Sequence, residues 1–417
     1  MRKLCLFFTG ILLVGLSAAQ SVSLLSAIPD SLEFNHFPVY IGAPQAVHPD
    51  VVYFKNPASG HHFYMSVTPI AYSDKNENPS ILVSDNGYDF YEDQPGINPL
   101  TGTCAYDHND DPDLFWNEST HEFYMHYLET MRPDSQNVNL LKSTDGISWT
   151  LSTAIHYNLQ AGDSFIVSPS MIKKDSLYYL FYVNITVSPR KIQYLTSTDG
   201  LTWNKNDTHG IAISFPVIPL YGHTDPWHLD VFADENGKFY MLCSAYPGNM
   251  AYTYQQLYLA TSTDLINWDA IQKPIIECSS FFGSQTMIYR STGIVDLDND
   301  LLVVWASYKG TDEWRIAEKK FSLSGIIDGY VATPALSYNL EISPNPGNGR
   351  FAVKIDGQQG SKVVFEICNI LGEKVYSAIS FNQEPLTIDI SSQPSGIYFL
   401  QVKINREVVT KKIFVNR

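Results

Sequence analysis

The stretch Thr196-Ser-Thr-Asp-Gly-Leu-Thr-Trp203 decides the fold, because the chain repeats it. Close copies are Lys142-Ser-Thr-Asp-Gly-Ile-Ser-Trp149 and Thr261-Ser-Thr-Asp-Leu-Ile-Asn-Trp268, and a looser one is Val83-Ser-Asp-Asn-Gly-Tyr-Asp-Phe90. They recur roughly every 55 to 65 residues, which signals a repeat architecture. Asp-Gly or Asn-Gly supplies the positive φ of a tight hairpin turn, and the aromatic returns to the core. These turns carry architecture and no chemistry.

Around each turn the same order of short elements returns. A Pro-containing entry leads into an apolar strand, then an aromatic-rich strand such as Phe63-Tyr-Met or Phe239-Tyr-Met-Leu. A variable loop, a third strand, the turn and a fourth strand follow. Four entries are His48-Pro-Asp-Val-Val-Tyr-Phe54, Asp111-Pro-Asp-Leu-Phe-Trp116, Ser168-Pro-Ser-Met-Ile172 and Trp227-His-Leu-Asp-Val-Phe232. A more divergent fifth unit runs from about Gln285 through Val303-Val-Trp-Ala306 to Phe321. Repeated four-stranded units predict an all-β chain, with a five-bladed β-propeller over residues 36–325. A linker at 326–338 and a small β-sandwich at 339–417 complete the expected organisation.

Composition narrows the function. The 417 residues carry a formal net charge of −16, which disfavours nucleic acid and anionic surfaces as partners. The 26 Tyr, 22 Phe and 7 Trp suit half-buried strands and carbohydrate-contacting surfaces alike. Cys104, Cys243, Cys278 and Cys368 are widely spaced and form no CxxC pair, so no zinc knuckle is indicated. Residues 1–19 read as a signal peptide, with Arg2 and Lys3 before an apolar run and Ser17-Ala-Ala19 at its end. No later segment is apolar enough for a membrane span, so a secreted or cell-surface protein is expected.

From Ser343-Pro-Asn-Pro onward the motifs Asn369-Ile-Leu-Gly-Glu-Lys-Val375, Leu386-Thr-Ile-Asp-Ile390, Pro394-Ser-Gly-Ile-Tyr-Phe-Leu400 and Thr410-Lys-Lys-Ile-Phe follow in order. This region resembles the C-terminal sorting domain of type IX secretion cargo. The resemblance implies a protein from the Bacteroidota, exported in two steps, with the type IX machinery as a partner.

In a propeller the first strand of each blade lines the central channel, and residues i and i+2 share a face. His48 with Asp50, Asp111 with Asp113, and His228 with Asp230 therefore point toward one mouth, with Ser168 and Ser170 in the third unit. Such groups either perform chemistry or cap strand ends and bridge blades. Glu77, in Asn76-Glu-Asn-Pro79, joins them from an upper loop.

Acids around an aromatic-lined funnel suggest glycoside hydrolysis, which needs one protonated and one ionised carboxyl. Crowding supplies the protonated partner by mutual repulsion. The expected catalytic set is Asp50 as base, Asp113 as electrostatic partner, and Asp230, His228 or Glu77 as acid. His48, Asp111, Trp227, His223, Arg290 and Tyr221 are expected to bind a carbohydrate substrate. No cofactor is required, although the channel leaves room for a structural calcium among His48, Asp113 and His228.

The blades also resemble the five-bladed glycosidases of the family 43 clan. Asp111-Pro-Asp-Leu-Phe-Trp with Phe123-Tyr-Met-His-Tyr carries that likeness. The resemblance implies a base just before the Pro of the first blade, where this chain has His48. It implies a pKa-tuning Asp where Ser168 stands, and a Glu acid where His228 and Asp230 stand. A non-catalytic glycan-binding propeller is the alternative.

Overall fold

The structure, a computed structural model, describes residues 23–29, 45–57, 60–70, 74–216, 224–248, 254–278, 287–310, 313–327, 339–356, 363–369, 374–380, 386–404 and 407–416. The expected signal peptide and most of the expected linker lie outside these residues. The chain divides into two compact units, Met1–Tyr330 and Val331–Arg417.

Among the described residues the first unit is built from five antiparallel sheets. Their innermost strands are Ala46–Tyr53, His108–Asn117, Ile166–Lys174, Thr224–Ala233 and Met287–Asp296. Each inner strand neighbours the next, and the fifth neighbours the first. The apolar cores follow the same cycle. Tyr64 and Ile81 meet Met125 and Leu141, Leu140 and Tyr157 meet Leu180 and Leu195, and Phe181 meets Met241 and Trp268. Tyr240 and Leu259 then meet Val304 and Ala317, and Val303 and Trp305 return to Phe63 and Leu82. Burial between sheets is thus the main cohesive term of the unit.

The repeated turns have one hydrogen-bond code. At Ser197-Thr-Asp-Gly200 the serine hydroxyl accepts the N–H groups of Asp199 and Gly200, and Asp199 Oδ1 accepts those of Leu201 and Thr202. Ser143 with Asp145 and Ser262 with Asp264 repeat it. Gly146 and Gly200 hold φ of 74° and 70°, and Leu265 takes the same left-handed place at 69°. The closing tryptophans Trp149 and Trp268 donate their ring N–H back to residues 146 and 265.

The second unit has a sheet of Asn339–Ser343, Arg350–Asp356 and Leu386–Asp389, and a sheet of Lys374–Ser380, Val363–Asn369, Gly396–Ile404 and Glu407–Val415. Phe351, Val353 and Ile388 of the first share a core with Phe365, Ile367, Leu400 and Ile413 of the second. Cys104, Cys243, Cys278 and Cys368 are free.

Candidate active site

Each of the five inner strands carries a β-bulge at an equivalent place, seen as register breaks at Val47/Asp50, Asp110/Asp113, Val167/Ser170, Pro226/His228 and Ile288/Ser291. Bulges re-aim side chains. In the first three sheets the bulged residue precedes a proline and is left-handed: His48 at φ 53°, Asp111 at 51° and Ser168 at 58°. A left-handed non-glycine residue costs roughly 1–2 kcal/mol. Strain repeated at facing positions makes these bulges candidates for function.

His48, Asp111 and His228 converge there, and each is at least 98% buried. Asp111 Oδ1 lies 3.4 Å from His48 Nε2 and 3.0 Å from His228 Nδ1. Neither contact has hydrogen-bond alignment, and these three buried atoms lack a hydrogen-bond partner among the described residues. Three ligand-type atoms so close, desolvated and unpaired, fit a cation between them. Two imidazoles and one carboxylate suit a borderline transition metal such as zinc better than calcium, which takes an all-oxygen shell.

The surroundings prepare these ligands. Thr68 donates its hydroxyl to Glu77 Oε2 at 3.3 Å and so accepts from His48 Nδ1 at 2.8 Å. His48 thereby carries its proton on Nδ1 and presents a lone pair on Nε2, the outer-shell arrangement of metal-binding histidines. Burial lowers the His48 pKa to about 3, so the imidazole is neutral. Burial alone would raise Asp111, but His228 and His48 outweigh it and hold the carboxyl well below the usual range. The N–H of Ser168 donates to Asp111 Oδ2 at 2.8 Å.

A cavity of about 400 Å³ opens over this group, lined in part by His48, Glu77, Asp110, Trp227, His228 and Tyr289. That volume admits a sugar residue. The Tyr289 ring stands edge-on to His228 at 4.0 Å between centroids. Burial first, then Asp111 and Glu77, push its hydroxyl pKa well up, so it remains a donor. His108 lies between Asp107 at 2.8 Å and Asp110 at 3.2 Å. Burial opposes its charge, yet Asp110 and Glu77 prevail and raise it to about 10. A larger cavity of about 760 Å³ lies at the opposite ends of the inner strands, near Tyr53, Phe232 and Val295, away from these groups.

Asp50, Asp113 and Asp230 form a second, deeper tier outside the cavity lining. Arg290, wholly buried, donates from Nη2 to Asp50 Oδ2 at 3.1 Å and to Asp113 Oδ1 at 3.2 Å. The N–H of Leu114 donates to Asp50 and that of Met171 to Asp113. Ser170 donates to Asp230 and Thr292 to Asp50. Every one of these bonds joins two different sheets, and all but that of Arg290 with Asp113 join neighbouring ones. Burial first, then like charge, raises Asp50 well above the usual range and Asp230 to about 7. Burial, only partly offset by Arg290, raises Asp113 to about 6.

The expected base, partner and acid at Asp50, Asp113 and Asp230 therefore give way to a bridging role, and Arg290 lies too deep to hold a sugar. The grouping of Asp113 with the two histidines, expected for calcium, is not formed: Asp111 takes that place. Glu77, His228, His48 and Trp227 do line the cavity, while His223 and Tyr221 lie outside the described residues. Sequence reasoning missed His108, Asp110 and Tyr289 as cavity residues. The signal for Tyr289 was its place in the fifth inner strand, two residues before the bulge ends at Ser291.

Residues 341–416 match the family described as secretion system C-terminal sorting domain. This domain marks the chain for type IX export to the cell surface or beyond. Residues 118–320 match the family described as beta-1,4-mannooligosaccharide phosphorylase. The chain is similar to the A type blood N-acetyl-alpha-D-galactosamine deacetylase of Flavonifractor plautii, 25% identical over 339 residues and 66% of this chain. It spans 42% of that relative's length. A crystal structure of an N-acetylgalactosamine deacetylase from F. plautii, with blood group B trisaccharide, shares the fold at TM-score 0.61 and 22% identity. That match covers 74% of this chain and 100% of that chain. An α-L-arabinofuranosidase from Fusarium graminearum aligns at TM-score 0.48 and 12% identity, over 72% of this chain and 99% of that one. The family match over residues 118–320 and the fold shared with the deacetylase give the first unit a glycoside hydrolase-like all-β fold. Among the described residues no helix is long and apolar enough to cross a membrane.

Proposed function

We propose that residues 36–325 form a five-bladed β-propeller enzyme that acts on glycans outside the cell. Its reaction removes the N-acetyl group of an amino sugar at a divalent metal held by His48, Asp111 and His228. The carrying observation is the trio of buried, unpaired ligand atoms under a sugar-sized cavity. The cyclic order of the inner strands and cores supports five blades. The likeness to a deacetylase of N-acetyl-alpha-D-galactosamine supports the substrate class. A signal peptide at 1–19, a linker at 326–338 and a β-sandwich sorting domain at 339–417 complete the proposed organisation.

When bound, the metal supplies Lewis acidity and a water of lowered pKa. Glu77, beside His48 on the cavity wall, takes a proton from the attacking water and returns it to the leaving nitrogen. The Tyr289 hydroxyl donates to the acyl oxygen as negative charge develops there. Amide and water become acetate and free amine. His48 stays neutral throughout, and Trp227 and Trp314 line the space for the sugar.

A second reading is favoured by the match of residues 118–320 to a family acting on mannooligosaccharides. In it Glu77 and Asp110, the carboxylates on the cavity wall, cleave a glycosidic bond. The experiment incubates the full chain and Asp111→Asn with N-acetylated glycans, with and without chelator, and measures acetate and reducing ends. Chelator-sensitive acetate lost in Asp111→Asn supports deacetylation. Reducing ends without acetate support the second reading. Binding with neither product identifies a glycan-binding propeller.

A further inference from the structure

Arg290 belongs to the fifth sheet, yet its guanidinium bonds to the first three. Nη2 reaches Asp50 and Asp113, while Nη1 donates to the carbonyl of Asp111 at 3.2 Å and to that of Pro169 at 3.2 Å. Its own carbonyl accepts from the Ser307 hydroxyl at 2.5 Å, which ties its strand to the next. The side chain is wholly buried and lies outside the cavity lining, so it cannot touch a substrate.

Its contact with Asp111 differs from the others. Asp111 is the residue at φ 51° whose Oδ1 lies between His48 and His228. Its Oδ2 is held by the Ser168 N–H, and its carbonyl is gripped from below by Arg290. The second carbonyl that Arg290 grips, at Pro169, directly follows Ser168, the donor to Asp111 Oδ2. One guanidinium thus fixes both the bulge that carries the carboxylate and the bulge that orients it.

We propose that Arg290 is the positioning residue of the metal centre. By holding two left-handed bulges in register it fixes the direction of Asp111 Oδ1, and it does so without contact with metal or substrate. The inference rests on the metal-centre reading above. Lysine cannot replace it, because a single ammonium cannot span two carbonyls and two carboxylates that a planar fork reaches together.

The test uses the full chain, stripped with chelator and titrated with cobalt(II). Visible absorption reports affinity and coordination geometry, and apo melting temperature is measured beside it. Arg290→Lys keeps the buried charge, and Arg290→Met removes it. Loss of an outer-shell support weakens metal binding by about 10- to 100-fold. We expect that loss in Arg290→Lys, with an altered cobalt spectrum. Arg290→Met is expected to bind more weakly still. If Arg290→Met does not fold, Arg290→Lys decides the matter. Wild-type affinity and spectrum in Arg290→Lys, whatever its melting temperature, would overturn the positioning role and leave Arg290 as a structural clasp. Absence of cobalt binding by the wild-type chain would overturn the metal centre itself, and this inference with it.

Discussion

His126 makes the first unit acid-labile by a calculable amount. It sits opposite Asp113 in the second sheet, fully buried, its ring edge-on to Trp203 at 6.1 Å. Neither ring nitrogen has a partner among the described residues. Burial alone lowers its pKa from 6.5 to about 3. A depressed folded pKa means that the unfolded chain binds the proton first. The stabilisation from a neutral His126 is therefore complete above pH 6.5 and is lost as pH falls from there toward 3. With about 1.4 kcal/mol per pKa unit, moving from pH 7 to pH 5 removes about 2 kcal/mol through this residue. Buried His48 adds a loss in the same direction. His126→Phe keeps the ring and deletes the titration, so its stability should fall about 2 kcal/mol less over that interval. The assay is urea unfolding at both pH values by tryptophan fluorescence. All seven tryptophans precede residue 315, so the signal follows the first unit. Equal pH slopes in wild type and His126→Phe would refute the reasoning.

Three further outcomes are expected. Glu77→Gln should lower kcat for deacetylation by about 100-fold or more while cobalt affinity stays within a few-fold, measured by acetate release and titration. Gln255 is fully buried on the cavity wall with neither carboxamide atom paired among the described residues. Gln255→Leu should therefore raise stability by about 1–2 kcal/mol in urea, and a decrease would mean that the amide has a partner such as a bound water. Gly200→Ala places a Cβ 3.0 Å from the Tyr178 ring at φ +70°. It should cost about 1–3 kcal/mol, read from the same unfolding curves.

The turns were legible in the sequence because their chemistry is local. Ser197, Asp199 and Gly200 satisfy one another within a few residues, so three copies were enough to predict the repeated strands. The site was legible by face but not by depth. Alternation sets His48 and Asp50 on one face of the strand, yet two residues along a strand span about 6–7 Å. Residues that share a face therefore fall into different layers. The bulges at His48 and Asp111 sharpen that division, and the following prolines were their only local trace. Arg290 takes the acids of the lower layer from about 180 to 240 residues away. No spacing rule reports such a partner, and without it Asp50 and Asp113 look like a reactive pair. The grouping of His48, Asp111 and His228 was legible only in part: the sequence set the two histidines together but placed Asp113 with them where the structure has Asp111.

The most direct test of the account is an anomalous difference map from crystals of the full chain grown with zinc, recorded at the zinc absorption edge. The account predicts a single strong peak bounded by His48 Nε2, Asp111 Oδ1 and the His228 imidazole. No peak there despite excess metal, or a peak among Asp50, Asp113 and Asp230, would contradict it.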